Sequence, residues 1–417
     1  MNLTTQQRES ILTRIQALVS DKYFDPAFDD AAWHRVVAKY RNIIVEAKNN
    51  SDFEEAISKM LGNLSHRALS LLSPHTPISP RNIINASFSI VEAQDKLRWV
   101  VEDVLPGGIA ARAGLEPGDV LLTISGEPAL ASSEPSPEPP LGSDMVISLN
   151  VLRGVPSREI SVTLDRTPPM YKERSKAKAS GLTVGSQTGE IAYLRVSHFP
   201  GRVGIDFANE TDAIFRGRFA SNDRLIIDLR GNPGGGIGGL ALMSYLTPEQ
   251  RPVGYSWGRK MAREHGDPSK LPVFRKIPRS RFAIPFLAIK YGRELSVYVH
   301  TEAPGRRAFR GRTVILVNRH TGGAAEMFAQ FAQENRLATI VGCKTMGRLI
   351  SRQAGKLGFG YRLALPVAAY ISAKGTQIDG KGITPDIDVP WSFNDAIANR
   401  DNQLAAAIEV FHSAKTT

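Results

Sequence analysis

A mixed α/β (α+β) chain of three parts is what the sequence predicts: a helical N-terminal unit, an inserted β domain and a larger α/β body. Three observations carry this. Apolar residues recur at helical spacing as far as residue 61, short β-type runs between turn signals fill residues 99–164, and strands alternate with helices from residue 191 onward. The expected boundaries are 1–80, 81–166 and 167–417, with the first and third parts forming one body and the second inserted between them.

The 417 residues are 42% hydrophobic and 22% charged, which is ordinary globular material and enough for two or three cores. A net charge of +11 arises from 52 basic and 41 acidic residues, with basic clusters at 172–178, 275–281 and 306–312. No aromatic platform or nucleic-acid motif accompanies these clusters, so they are read as solvated loops and no nucleic-acid partner is expected. A single cysteine, Cys343, excludes an internal disulfide framework and fits a reducing compartment. No run approaches the roughly 20 apolar residues of a membrane span, and the polar start MNLTTQQRES lacks the layout of a signal peptide. The expected location is cytoplasmic, or periplasmic if a leader has been removed.

Taken in order, Thr4 and Gln7 form a capping-box signal ahead of Ile11, Leu12, Ile15, Leu18 and Val19. Trp33, Val36, Val37, Tyr40 and Ile43 mark a second helix, and residues 52–61 a third. A loop with Ser65 and His66 and the Pro-rich segment 73–80 close the unit. Strands are expected at 99–104, 120–124, 146–152 and 160–164, while the Ser/Pro/Glu-rich run 131–140 is an exposed loop. Beyond a charged linker at 171–178, strands at 191–196, 224–229, 313–317 and 339–341 alternate with helices. Residues 248–311, rich in Pro and Arg, are read as an irregular insertion covering the site. A last amphipathic helix is expected at 403–411.

Two glycine-rich turns could carry chemistry. Val314, Ile315, Leu316 and Val317 form the continuous apolar run of a strand buried on both faces, and it feeds a turn, Thr321-Gly322-Gly323-Ala324-Ala325-Glu326, that opens a helix. Such an elbow leaves the first helical N–H groups free at the positive end of the helix dipole, where a developing oxyanion can be stabilised. In the other turn, Gly234, Gly236 and Gly239 satisfy GxGxxG, but Pro233 interrupts it and no acidic residue lies about twenty positions on, which argues against a dinucleotide. An oxyanion loop and a simple close-packing turn remain as readings of residues 232–235. No HExxH or paired CxxC appears, so neither a metal nor a cofactor is expected.

The elbow resembles that of the tricorn and tail-specific (C-terminal-processing) serine peptidases, whose nucleophile stands three residues before the glutamate; in this sequence that slot is Gly323. The resemblance implies a ClpP/crotonase-like core and an oxyanion hole in which the amide of Gly234 or Gly235 acts with that of Ala324. Residues 106–119, a short helix closed by glycine and then a Pro-Gly-Asp turn, strongly resemble a PDZ domain, which binds an extended peptide or C-terminus at a sheet edge, here residues 86–91. The pair Ser65-His66 falls where tricorn-type members carry adjacent serine and histidine. Residues 378–386 resemble the closing motif, whose acidic residue falls on Asp379, so His66 and Asp379 are implied as the general-base pair. In the tail-specific branch the matching lysine position is Arg348, which stays protonated and cannot be a base. Lys344 is out of register, Thr321 would point elsewhere on the elbow, and nothing beside Cys343 lowers its pKa.

Three functions are compatible with these residues. One is a serine peptidase of the tricorn or C-terminal-processing type, or a close homologue, with glycine in its nucleophile slot by descent or by engineered replacement. Another is an oxyanion-hole lyase, isomerase or cyclase using His66 as base on a small carbonyl substrate. The third is a non-catalytic PDZ protein that binds peptide or protein C-termini. Oligomeric state is left open.

Overall fold

A computed structural model describes residues 2–25, 27–64, 69–74, 84–132, 138–142, 144–167, 181–187, 191–201, 203–264, 266–286 and 296–413. Ser65, His66 and the linker 171–178 lie outside the described residues. Among the described residues the strands form three six-stranded sheets.

The central sheet runs in the order Ile387–Asp388, Thr339–Gly342, Arg312–Val317, Arg224–Asp228, Ile191–Val196, Leu182–Gln187; all neighbours are parallel except the last pair. The apolar run of the 312–317 strand is continuous because both its faces are covered. Ile315 and Val317 pack with the helices Gly239–Tyr245 and Ala324–Glu334, and Val314 and Leu316 pack against Ala407 and Phe411 of the helix Asn402–Ser413. The 224–228 and 312–317 strands are parallel neighbours, with Ile227 opposite Ile315. Their carboxyl-terminal loops, the glycine loop and the elbow, therefore open at the same edge of the sheet, where open α/β folds place ligands.

The leading helices are Thr5–Lys22, Asp30–Val45 and Asn50–Leu61. The capping box at Thr4 is formed in both directions, Gln7 N–H donating to Thr4 at 3.2 Å and Thr4 N–H to Gln7 at 2.9 Å. In the second helix the buried stripe is Trp33, Val37 and Ile44, whereas Ile43, assigned to that face by pattern, is 61% exposed. These helices share a core with Leu357, Leu363 and Leu365 of the hairpin Ile350–Gly358/Tyr361–Ser372. Helices from the start of the chain thus bury a sheet built from its end.

Residues 248–311 are not the irregular insertion that their composition suggests. Within them Pro252–Gly258 pairs antiparallel with Tyr361–Ser372 from Gly254↔Ser372 to Gly258↔Ala368, and Tyr298–His300 and Val273–Phe274 extend the same sheet. The strands are two to seven residues long and are separated by Pro- and Arg-rich segments, so they give no run of alternating residues for sequence to detect.

The remaining sheet has the order Ala86–Ala93, Lys96–Val104, Val120–Ile124, Val146–Arg153, Arg158–Asp165, with its own core around Phe88, Trp99, Val101, Leu121 and Leu149. Ala86–Ala93 is an edge strand. Its first four residues are buried, and positions 90–93 are more open. Among the described residues no helix is long and apolar enough to cross a membrane, and no cluster of His, Cys, Asp and Glu is arranged to hold a metal.

Candidate active site

Gly323 is the N-cap of the Ala324–Glu334 helix, with φ 56° and ψ −127°. A side chain is strained at this positive φ, as it is on the sharp strand-to-helix turn that presents a nucleophile; glycine adopts it without a Cβ clash. The amides of Ala325 and Glu326 donate to the Gly322 and Gly323 carbonyls at 3.1 and 3.0 Å, while that of Ala324 has no acceptor among the described residues. Ala324 therefore offers a free N–H at the positive end of a three-turn helix.

The glycine loop faces this N–H. Gly322 N–H donates to the Asn232 carbonyl at 2.8 Å, which ties the elbow to the loop. The N–H of Gly234 donates to the Asn232 side-chain oxygen at 2.8 Å, so it is turned away from the elbow. The other end of that peptide points the opposite way: a Cβ placed on Gly323 would lie 3.0 Å from the Pro233 carbonyl oxygen. Gly236 donates to the Phe199 carbonyl at 2.9 Å, and Gly235 N–H has no acceptor among the described residues. Of the nominated amides, Ala324 and Gly235 are available and Gly234 is engaged. Close packing is required as well, since a Cβ on Gly235 would come within 2.2 Å of the Phe199 carbonyl oxygen.

Glu326, fully buried, fixes the far side of the elbow. Its carboxylate accepts from the Thr345 hydroxyl at 2.5 Å and from the amides of Gly347, Arg348 and Gly323 at 2.6, 2.9 and 3.0 Å. Four donors satisfy a charge that would otherwise be costly to bury. One oxygen, Oε2, takes both the Gly323 and the Arg348 amides, so positions 323 and 348 are held side by side. Gly380 N–H in turn donates to the Gly347 carbonyl at 2.9 Å, laying the loop that bears half-buried Asp379 on the 345–348 segment.

Comparison with known proteins finds the same parts in the same order. The profile of peptidase family S41 matches residues 190–389, that of the PDZ domain residues 100–135, and that of the tricorn protease C1 domain residues 4–62. The chain belongs to peptidase family S41. A carboxyl-terminal-processing protease of Synechocystis sp. is 24% identical over 98% of this chain and 88% of its own length. A putative tricorn protease homolog 2 of Streptomyces coelicolor is 21% identical over 89% of this chain and 29% of its own. In fold, a putative S41 protease from Bacteroides fragilis superposes with a TM-score of 0.60 at 15% identity, covering 96% of this chain and 97% of that one. The S41 chain described here is a serine peptidase of the C-terminal-processing and tricorn type or a close homologue of one.

Other hydroxyls and thiols near the S41 elbow are committed elsewhere. Thr321, fully buried, donates to the Leu229 carbonyl at 2.9 Å and accepts from Asn318 N–H at 3.0 Å. Burial pushes the Cys343 thiol up, away from the thiolate a nucleophile requires. Arg348 and Lys344 have exposed side chains.

Sequence reasoning missed the residues that lock the PDZ domain of this S41 chain onto the elbow. Glu102, 4% exposed, accepts from Arg319 at 2.7 Å, Asn318 at 3.3 Å and Ser89 at 2.8 Å, and its carboxylate lies 3.2 Å from the His320 ring. Burial alone would raise its pKa, but the hydrogen bond and charge of His320, with Arg319 and Ser89, outweigh it and hold the carboxyl below its ordinary value. Arg319 also donates to the Phe88 carbonyl on the edge strand at 3.2 Å. Beside this latch Asp103 pairs with Arg195, which reaches Asp228 at 3.1 Å, and Arg230 joins Asp228 to Asp401 at 2.7 and 2.8 Å. A cavity of about 190 Å³ opens along this seam, and Gly323 does not line it. The contacts of Glu102 with residues 318–320, of Asp103 with Arg195 and of Arg230 with Asp401 span between about 90 and 220 positions, so no local motif announces them.

Proposed function

We propose that this S41 chain holds a peptide across its elbow and, with glycine at position 323, forms no acyl-enzyme. The observation that carries this is the elbow itself: Gly323, the residue that the resemblance aligns with the family's nucleophile, caps the helix at φ 56° and ψ −127° and has no side chain. A peptide carbonyl fits against the amides of Ala324 and Gly235, which supply oxyanion-hole hydrogen bonds without a covalent step. His66, beside Ser65 and oriented by Asp379, is the proposed base for any residual turnover, acting on water. The PDZ domain is proposed to capture peptide C-termini by strand addition along the open half of Ala86–Ala93, positions 90–93, since the other half is covered by the latch.

The reading is tested on the full chain with a fluorophosphonate probe followed by mass spectrometry, and with calorimetric titration of C-terminal peptides beside their carboxamides. Binding of free carboxylates without stoichiometric adduct is expected. A stoichiometric adduct on any serine would overturn the non-acylating assignment, and equal affinity for carboxamides would remove the C-terminus reading.

A further inference from the structure

Residues 248–311 contain fourteen basic and five acidic side chains, so this one stretch holds nine of the chain's eleven excess positive charges. Part of that charge gathers around a recess of about 180 Å³ lined by Arg216, Lys276, Arg279 and Arg307, with Asp212 and Glu302 among them. Both carboxylates are already engaged. Asp212 pairs with Arg216 at 2.7 Å and accepts from the Tyr245 hydroxyl, while Glu302 pairs with Arg279 at 3.0 Å and accepts from Ile277 N–H at 3.1 Å. Lys276 and Arg307 have no carboxylate partner among the described residues, which leaves the recess with two uncompensated cations.

Directly after Arg279 the chain makes a helical turn. Ser280 caps Arg281–Ala283, and the turn rests on the helix Ile205–Arg216 through Arg281 to Asp206 at 2.8 Å and Asn209 to the Arg279 carbonyl at 3.2 Å. Anchored this way, it leaves Phe282 91% and Phe286 74% exposed, with Ile284 at 41%. Phe282 and Phe286 are four residues apart in one short, largely exposed stretch. A single exposed apolar residue needs no explanation, but two phenylalanines on one anchored stretch, three and seven residues on from the Arg279 that lines a recess with unpaired cations, form a patch with a defined chemistry. Aromatic rings flanked by Lys and Arg suit the interface of a bilayer, where the rings enter the headgroup layer and the cations meet anionic lipid. A nucleic-acid duplex would satisfy the cations but give the two protruding rings nothing to bury against.

We infer that this face docks on an anionic phospholipid surface, Phe282 and Phe286 entering the headgroup layer and Lys276 and Arg307 facing lipid phosphates. Docking of this kind is peripheral and does not depend on the chemistry assigned to the elbow. Its test is sedimentation of the full chain with vesicles of phosphatidylcholine alone and of phosphatidylcholine with phosphatidylglycerol at about a 2:1 ratio. The chain is expected to sediment with the anionic vesicles only, and less so as salt is raised. Phe282→Ser/Phe286→Ser and Lys276→Glu/Arg307→Glu are each expected to reduce partitioning by about 30-fold or more while leaving the melting temperature unchanged, since these side chains lie at the surface. The inference is overturned by absence of sedimentation with anionic vesicles, by equal sedimentation with neutral ones, or by binding of a labelled DNA duplex without binding of vesicles. Retention of full binding by either double variant would equally overturn it.

Discussion

Replacing Gly323 by serine puts the elbow assignment to its most direct test, because the structure specifies two separate costs and one gain. A side chain at φ 56° is strained, and its Cβ would lie 3.0 Å from the Pro233 carbonyl oxygen, closer than ordinary contact. Together these lower stability by about 1–3 kcal/mol. Gly323→Ala carries the same strain without a hydroxyl, so both variants should show the same drop in melting temperature. The gain belongs to serine alone, which places a hydroxyl on the residue before the free amide of Ala324 and against the glycine loop. The contact with Pro233 is relieved when that carbonyl gives by a few tenths of an ångström, whereas a full rotation of the same peptide would also release Gly234 N–H from Asn232 toward the elbow. A Gly323→Ser protein that rearranges in this way has a third donor; one that does not lacks it, and loss of one oxyanion donor slows acylation by about 10²–10³-fold. The assay is the rate of fluorophosphonate labelling at residue 323, with Gly323→Ala as control. If the folded Gly323→Ser protein is unlabelled and melts like the wild type, Gly323 is not at a strained elbow facing an oxyanion hole.

Further outcomes follow from the buried charges. Glu326→Ala leaves the Thr345 hydroxyl and three amides without an acceptor, each costing about 1–3 kcal/mol, so the variant should fail to fold; a melting temperature near wild type would contradict the four-donor arrangement. Asp228→Ala removes the carboxylate shared by Arg195 and Arg230, leaving the first to Asp103 and the second to Asp401, and should cost up to about 3–5 kcal/mol by denaturant titration, whereas a change below about 1 kcal/mol would mean that Asp103 and Asp401 suffice to balance the two cations. The Glu102 latch has a defined acid limit. Its folded pKa is depressed, so its stabilisation is present above the unfolded value of 4.5 and is lost as pH falls through the lower folded value. Hydrogen exchange at residues 86–89 and 318–320 should stay slow from pH 7 to 5 and quicken only in stronger acid. Loss of protection between pH 7 and 5 would show that the carboxylate does not set the latch.

Local features of this chain were legible without coordinates. The run Val314 to Val317 is apolar at every position because helices cover both faces, and the small residues after it spell the elbow; hence the family was visible in short motifs. The capping box at Thr4 was equally plain, since both its bonds span three residues. Where the code is local but the environment is not, pattern misled: Ile43 is apolar yet faces solvent, and residues 248–311 hide three short strands that pair with one another and, through Pro252–Gly258, with the distant strand Tyr361–Ser372.

The state of the site was decided by tertiary structure alone. Sequence nominated Gly234, Gly235 and Ala324 as amides but could not orient them, because the direction of an N–H is set by dihedral angles and by what accepts it. Asn232 takes the Gly234 proton, while Gly235 and Ala324 are left open. Likewise Glu326 was a marker of register in the sequence and became the acceptor for donors from two segments only in the fold. Glu102 and Arg319 stand 217 positions apart and meet because two domains bring their buried faces together. Residue identity fixes which groups can donate, accept or carry charge; the distant neighbours that satisfy those groups exist only once the sheets have packed.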